Sequence, residues 1–167
     1  MNKQNHQYSP IRSRKIISVC CGADPPEDEL ALAYETGREI AKHDAILACG
    51  GLGGSMEEAC RGAKEEGGLT IGIIPFYEKD SANDFVDIVI PTGLGHARNN
   101  LVAAIGDGVI GVGGSWGTLS EISIAVKMKK PVAVLKGWEV GSEKIQDSSF
   151  RKAETPYEAV AIALGLI

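Results

Sequence analysis

The stretch DGVIGVGGSWGTLSE, residues 107–121, decides the fold. It opens as a short apolar run with β-branched residues, the composition of a buried strand. Gly113, Gly114 and Gly117 then turn the chain, and the residues from Thr118 onward open a helix. Strand, glycine turn and helix make the repeating unit of an α/β protein. Glycines let backbone amides approach an anion closely. A helix N-terminus adds unpaired N–H groups and the positive end of a dipole. The stretch therefore poses a chemical question as well as a structural one: what Glu121 does beside such a loop.

Outward from this stretch the pattern repeats. KIISVC (15–20), AILACG (45–50), LTIGIIP (69–75), FVDIVIP (85–91) and KPVAVL (130–135) are further strand-length apolar runs. Between them lie a helix running to about Lys42, SMEEACRGAKEE stopped by Gly67 and Gly68, and the turn and helix of GLGHARNNLVAAIG. TPYEAVAIAL closes the chain as a helix, with a threonine cap and a proline at the first helical position. Uniformly apolar strands alternating with helices predict an α/β fold: a single Rossmann-like, doubly wound parallel sheet with helices on both faces. Residues 1–14, MNKQNHQYSPIRSR, are expected to be a disordered tail, and 15–167 one domain binding a nucleotide or cofactor phosphate.

Composition narrows the partners. A chain of 167 residues, 44% hydrophobic and 23% charged, suits one soluble domain. A net charge of -5 argues against nucleic acid, whose binders carry a basic face. No run approaches the roughly 20 apolar residues of a membrane span, and the polar N-terminus lacks the apolar core of a signal peptide. The expectation is a cytoplasmic protein with no membrane contact. Cys20, Cys21, Cys49 and Cys60 form no CxxC pair, so no metal site is expected, and reduced thiols are the default. Cys20, Cys21 and Cys49 fall at strand ends, where they are small buried apolar residues or, alternatively, soft ligands.

In such sheets ligands bind outside the carboxyl ends of the strands. That rule selects 20–24, 50–55, 75–83 and 113–118. Two of these segments echo one another: GGLGGSMEE (50–58) and GGSWGTLSE (113–121) share glycines, a hydroxyl and a glutamate at matching offsets. Neither is a GxGxxG fingerprint, Met56 and Trp116 breaking the pattern, and neither ends in Gly-Lys-Ser/Thr. Together they could grip a phosphate from two sides. The candidate phosphate-binding residues are Gly22, Gly50, Gly51, Gly53, Gly54, Ser55, Asn99, Gly113, Gly114, Ser115, Gly117 and Thr118.

Ser55-x-x-Glu58 and Thr118-x-x-Glu121 also fit the capping box, in which the glutamate only returns to a backbone amide. Glu121 is thus a helix cap, a site residue, or both. Arg98 offers a two-pronged grip on a phosphate or carboxylate, or a plain salt bridge. Asn99 either hydrogen-bonds a ligand or caps a turn. His96 reads as a turn residue. Trp116 is placed to stack on a ligand ring or to cover a partner subunit. In the helix from Thr118, Leu119, Ile122 and Val126 share one face, and Ile124, Ala125 and Met128 another. A second apolar stripe points to a homodimer or homotetramer, or to burial under the terminal helix.

GGLGGSMEEACRGA, TIGIIP, GLGHARNN and GGSWGTLSEI, in this order, resemble the Lonely Guy superfamily of Rossmann-like proteins, and within it the molybdenum cofactor carrier branch. The resemblance runs from about Lys15 to the terminal helix. It implies a carrier of a phosphate-bearing heterocycle, the molybdenum cofactor (molybdopterin) being the carried ligand. The glycine loops would hold its phosphate, and the crevice would shelter the pterin. The enzyme branch of the superfamily implies instead a phosphoribohydrolase, cleaving the N-glycosidic bond of cytokinin riboside or other nucleoside 5′-monophosphates. Its PGGxGTxxE motif matches at Gly114, Gly117, Thr118 and Glu121, and its arginine matches Arg98, which would make Arg98 and Glu121 a catalytic pair. Gly113 stands in place of that motif's proline, Ser115 in place of its second glycine, and Asn99 in place of a lysine. These departures favour the carrier and leave enzymatic activity open. The lysine decarboxylase label that some relatives have borne does not fit, since that chemistry normally needs a pyridoxal phosphate lysine in the site.

Overall fold

The computed structural model describes residues 10–137 and 150–167. Seven strands, β1 (Ile16–Cys21), β2 (Ile46–Cys49), β3 (Thr70–Ile74), β4 (Ile88–Pro91), β5 (Gly108–Val112), β6 (Val132–Leu135) and β7 (Arg151–Lys152), form one sheet in the order β4-β3-β2-β1-β5-β6-β7. Every pairing is parallel. The helices are α1 (Glu27–Lys42), α2 (Ser55–Glu65), α3 (Asn99–Ile105), α4 (Trp116–Lys127) and α5 (Pro156–Leu164). This is the doubly wound α/β fold that the strand composition predicts. Strand order reverses between β1 and β5, the switch point where the carboxyl ends of two strands leave a crevice.

Alternate residues of each strand supply two cores. Ile17, Val19, Leu47, Ile110, Val112 and Leu135 pack with Ala33 and Ile40 of α1, Ala59 and Ala63 of α2, and Val160 and Ile162 of α5. Ile46, Ala48, Ile71, Ile73, Val109 and Val134 face the other way, onto Val102 of α3 and Ile122 and Ala125 of α4. All residues of β2, β3, β5 and β6 are buried, as a sheet covered on both faces requires. Helices α1 and α2 approach with almost no side chain between them: a Cβ on Gly37 would lie 1.9 Å from the Ala59 carbonyl oxygen.

The expected elements need four revisions. FVDIVIP forms strand only over β4, an edge on which Ile88 and Ile90 are exposed. In register they pair with Ile71 and Ile73, so they share the α3/α4 face but lie beyond both helices. β7 is two exposed residues with no apolar signature for the sequence to show. The buried stripe of α4 is Thr118, Glu121, Ile122 and Ala125, while Leu119, Ile124 and Val126 are half-buried and Met128 is exposed. The stripe is rotated because α4 offers its first turns to the crevice and only its middle to the sheet. Helix α5 lies on the opposite face from α4, so it does not cover α4's outer side. Of the N-terminal 14 residues, 1–9 lie outside the described residues; Ile11–Ser13 form a 3-10 turn, and Arg14 pairs with Asp44 at 3.1 Å.

Candidate functional site

The two glycine loops are built differently despite their echo. In the first, the backbone of Gly54 has φ 66°, and a Cβ there would meet the Ala23 carbonyl oxygen at 2.3 Å. Ser55 donates its N–H to the Gly22 carbonyl at 3.0 Å. The loop after β2 is thereby fastened to the turn after β1. Gly54 is the N-cap of α2 and contributes no side-chain bond. The Ser55–Glu58 capping box does not form: Ser55 is already helical, its buried Oγ has no hydrogen-bond partner, and Glu58 pairs with Arg61 at 2.5 Å. At the loop's start Gly51 donates its N–H to Cys49 Sγ at 3.3 Å, and the Cys49 and Cys60 sulfurs touch at 3.5 Å.

In the second loop Gly113 (φ 47°) and Gly114 (φ 89°) both take the left-handed backbone that a side chain disfavours. Gly113 donates to the Leu135 carbonyl, and Gly114 donates to Glu29 Oε2 at 3.1 Å. Ser115 is the N-cap of α4, without a side-chain cap bond. Helix α4 therefore starts two residues before Thr118. Glu121 sits well inside it, 5% exposed, and is no helix cap.

Glu121 meets Arg98, the last residue of a 3-10 turn at Gly95–Arg98 that follows β4. Arg98 is 8% exposed. Its Nη1 donates to Glu121 Oε1 at 3.3 Å and to Asn99 Oδ1 at 2.8 Å, and its Nη2 reaches the Gly50 carbonyl at 3.4 Å. Gly50 is needed for this approach, since a Cβ there would lie 2.5 Å from Nη2. Asn99 is anchored in turn by donating to Ser120 Oγ at 3.0 Å. One nitrogen remains: Arg98 Nε is buried with no hydrogen-bond partner. A buried donor left unmade costs roughly 1–3 kcal/mol, more on a charged group, so its retention asks for an acceptor from outside.

These residues border an open cavity of about 170 Å³ at the carboxyl ends of β1, β2 and β5. Gly22, Gly50, Arg98, Asn99, Ser115, Gly117, Thr118 and Glu121, all singled out in the sequence, line it. Gly51, Gly53, Gly54, Ser55, Gly113 and Gly114 do not; they shape the loops that carry the lining residues. Lining residues that sequence reasoning did not select as binding residues are Val19, Cys21, Ala23, Leu52, Met56 and His96. Met56 carried one faint signal, a large apolar side chain in the first turn after a glycine loop.

Burial pushes the Glu121 carboxyl up to about 7, with Arg98 and a hydrogen bond from Cys20 opposing the rise. It is therefore half-protonated near neutral pH. Burial likewise holds the Cys20 and Cys21 thiols well above their ordinary value. Both are protonated at neutral pH, which disfavours them as soft ligands or nucleophiles. The cavity thus has a cationic, hydrogen-bonding floor at Arg98, a helix N-terminus at Ser115 to Thr118, and an apolar side at Leu52 and Met56. That combination suits an anion attached to a flat apolar body.

The model of the SLOG cluster4 family matches residues 14–162. An uncharacterized protein of Archaeoglobus fulgidus is 44% identical over 144 residues, 86% of this chain and 91% of its own length. The molybdenum cofactor binding protein of the phototrophic bacterium Rippkaea orientalis superposes with a TM-score of 0.84 at 36% identity, over 92% of this chain and 97% of that one. The molybdenum cofactor carrier protein of Chlamydomonas reinhardtii does so with a TM-score of 0.81 at 38% identity, over 92% and 98%. The resemblance to the Lonely Guy superfamily and its carrier branch is borne out along nearly the whole chain, which belongs to the SLOG cluster4 family.

Proposed function

We propose that this protein binds and carries a phosphate-bearing heterocycle, with the molybdenum cofactor as its cargo. The observation that carries the reading is Arg98, a buried guanidinium that lines the cavity and whose Nε has no hydrogen-bond partner. A guanidinium held by Asn99 and Glu121 is preorganised, so an incoming phosphate meets charge already in position. The amides at the start of α4 receive the phosphate oxygens. The heterocycle lies toward Leu52 and Met56, and Trp116, 84% exposed beside the opening, is free to stack on it. Support also comes from relatives that bind or carry this cofactor and match more than nine-tenths of the chain.

The cavity is smaller than the roughly 300–1,000 Å³ of ordinary ligand pockets. One chain therefore encloses only the phosphate end of its ligand. A second copy is the natural lid. Ile88, Ile90, Leu94 and Leu101 form exposed apolar surface on the side of α3 and the edge strand, and a homodimer or homotetramer would bury them.

The test is anaerobic loading with the molybdenum cofactor, followed by desalting and assay of molybdenum and pterin in the protein fraction. Wild type retains both. Gly117→Asp and Arg98→Ala lose them while keeping the fold. A Cβ on Gly117 meets nothing closer than 3.9 Å, so the aspartate adds charge at the loop without a clash. Retention unchanged in both variants would refute the site. Release of free base from AMP, dependent on Glu121, would replace the carrier reading with the hydrolase.

A further inference from the structure

The amides that a dinucleotide-binding sheet offers to a diphosphate are closed here from within. In such sheets the diphosphate lies at the switch point, over the turn after the first strand. In this chain that turn contains Pro25 and Pro26, which have no N–H to give. The first turn of α1 then presents Glu27, Asp28 and Glu29, and no side chain caps it. Across the crevice Gly114 has already given its N–H to Glu29. The Glu29 carboxylate lies so close to Gly113 that a Cβ there would come within 2.0 Å of it. Gly22, which lines the cavity, lies close to Gly114: a Cβ on it would be 3.7 Å from the Gly114 Cα.

We propose that Glu29 is a specificity-determining residue: a built-in anion that holds the Gly114 amide, lies against Gly113, whose own amide is given to Leu135, and confines the ligand's phosphate to the Arg98 and α4 side. The site then takes a phosphomonoester and turns away a ligand whose phosphate is extended by a second one toward α1. This rests on the reading of the cavity as a phosphate site. The extension fails for two reasons: the amides that would receive it are filled, and its charge meets a fixed carboxylate.

Titrations with orthophosphate and pyrophosphate, followed by phosphorus NMR, test it in wild type, Glu29→Gln and Glu29→Ala. Glutamine keeps an oxygen for Gly114 and removes the charge; alanine empties the place. In wild type, pyrophosphate binds no more tightly than orthophosphate despite its greater charge. Both variants shift the ratio of the two affinities toward pyrophosphate by about tenfold or more, the size expected of one like-charge contact relieved. Thermal melts identify a variant that has lost its fold, and the other then decides. A wild type that prefers pyrophosphate, or a ratio unmoved by either variant, overturns the role of Glu29 while leaving the phosphate site standing. Failure of orthophosphate to bind wild type, with no effect of Arg98→Ala, overturns the phosphate site itself and the proposal with it.

Discussion

Replacing Glu121 by glutamine should flatten a pH dependence that this one group imposes on stability. The carboxyl is lifted from an ordinary 4.5 to about 7, chiefly by burial. Below pH 4.5 it carries its proton in both the folded and the unfolded chain. Between pH 4.5 and 7 the unfolded chain gives the proton up while the folded chain keeps it, so stability falls as pH rises. Above 7 both are ionised and the loss is complete. At about 1.4 kcal/mol per tenfold change in proton affinity, the loss is about 3 kcal/mol. Glutamine has no proton to lose, and Arg98 keeps a polar neighbour. Urea denaturation of both proteins at pH 4.5, 5.5, 6.5 and 8 isolates the effect, because the remaining titrations cancel in the difference between them. Wild-type stability minus that of the variant should fall by about 3 kcal/mol across the series, most steeply from 5 to 7. A flat difference, or one that rises with pH, would show Arg98 outweighing burial. Glu121 would then be a permanent carboxylate.

Other outcomes follow from the packing. Gly37→Ala forces apart the closest contact between α1 and α2 and should cost about 1–3 kcal/mol in denaturant melts. Thr155 Oγ1 accepts the Glu158 N–H at the start of α5. Thr155→Ala should therefore lower stability by about 1 kcal/mol, with serine restoring most of it. Charge on the uncovered face tests the proposed second copy: Leu101→Glu combined with Ile90→Lys is expected to yield monomers by light scattering, with an unchanged circular dichroism spectrum. An unaltered mass would place any subunit contact elsewhere.

The layered fold is legible because each core strand is a bounded apolar run, and runs such as AILACG and DGVIGVGG have no other place in an α/β chain. The edge was not. Ile88 and Ile90 look like core residues in sequence, and only the arrangement of α3 and α4 leaves them bare. The glycine loops are legible, but the N-caps lie one to three residues before the hydroxyls to which the spacing points. The left-handed backbone at Gly54, Gly113 and Gly114 starts each helix earlier than the hydroxyl-x-x-Glu spacing suggests. Arg98 and Glu121 could be paired by motif. What no local pattern carries is the contact between Glu29 and Gly114, which spans 85 positions and joins two elements only through the sheet order.

The placement of β1 also governs how the chain can be made. Its pairing with β2 joins segments about thirty positions apart, whereas its pairing with β5 waits for residues 108–112. During synthesis, then, β1 to β4 can assemble with one flank of their innermost strand still bare. That flank is buried and apolar in the finished protein, the kind of edge that recruits strands from neighbouring chains. A nascent chain halted before Val112 should aggregate or seek a chaperone, and one released after β6 should not. The strand at the centre of the sheet is thus the first to be made, yet it gains its second neighbour only after β2 and β3 have both of theirs.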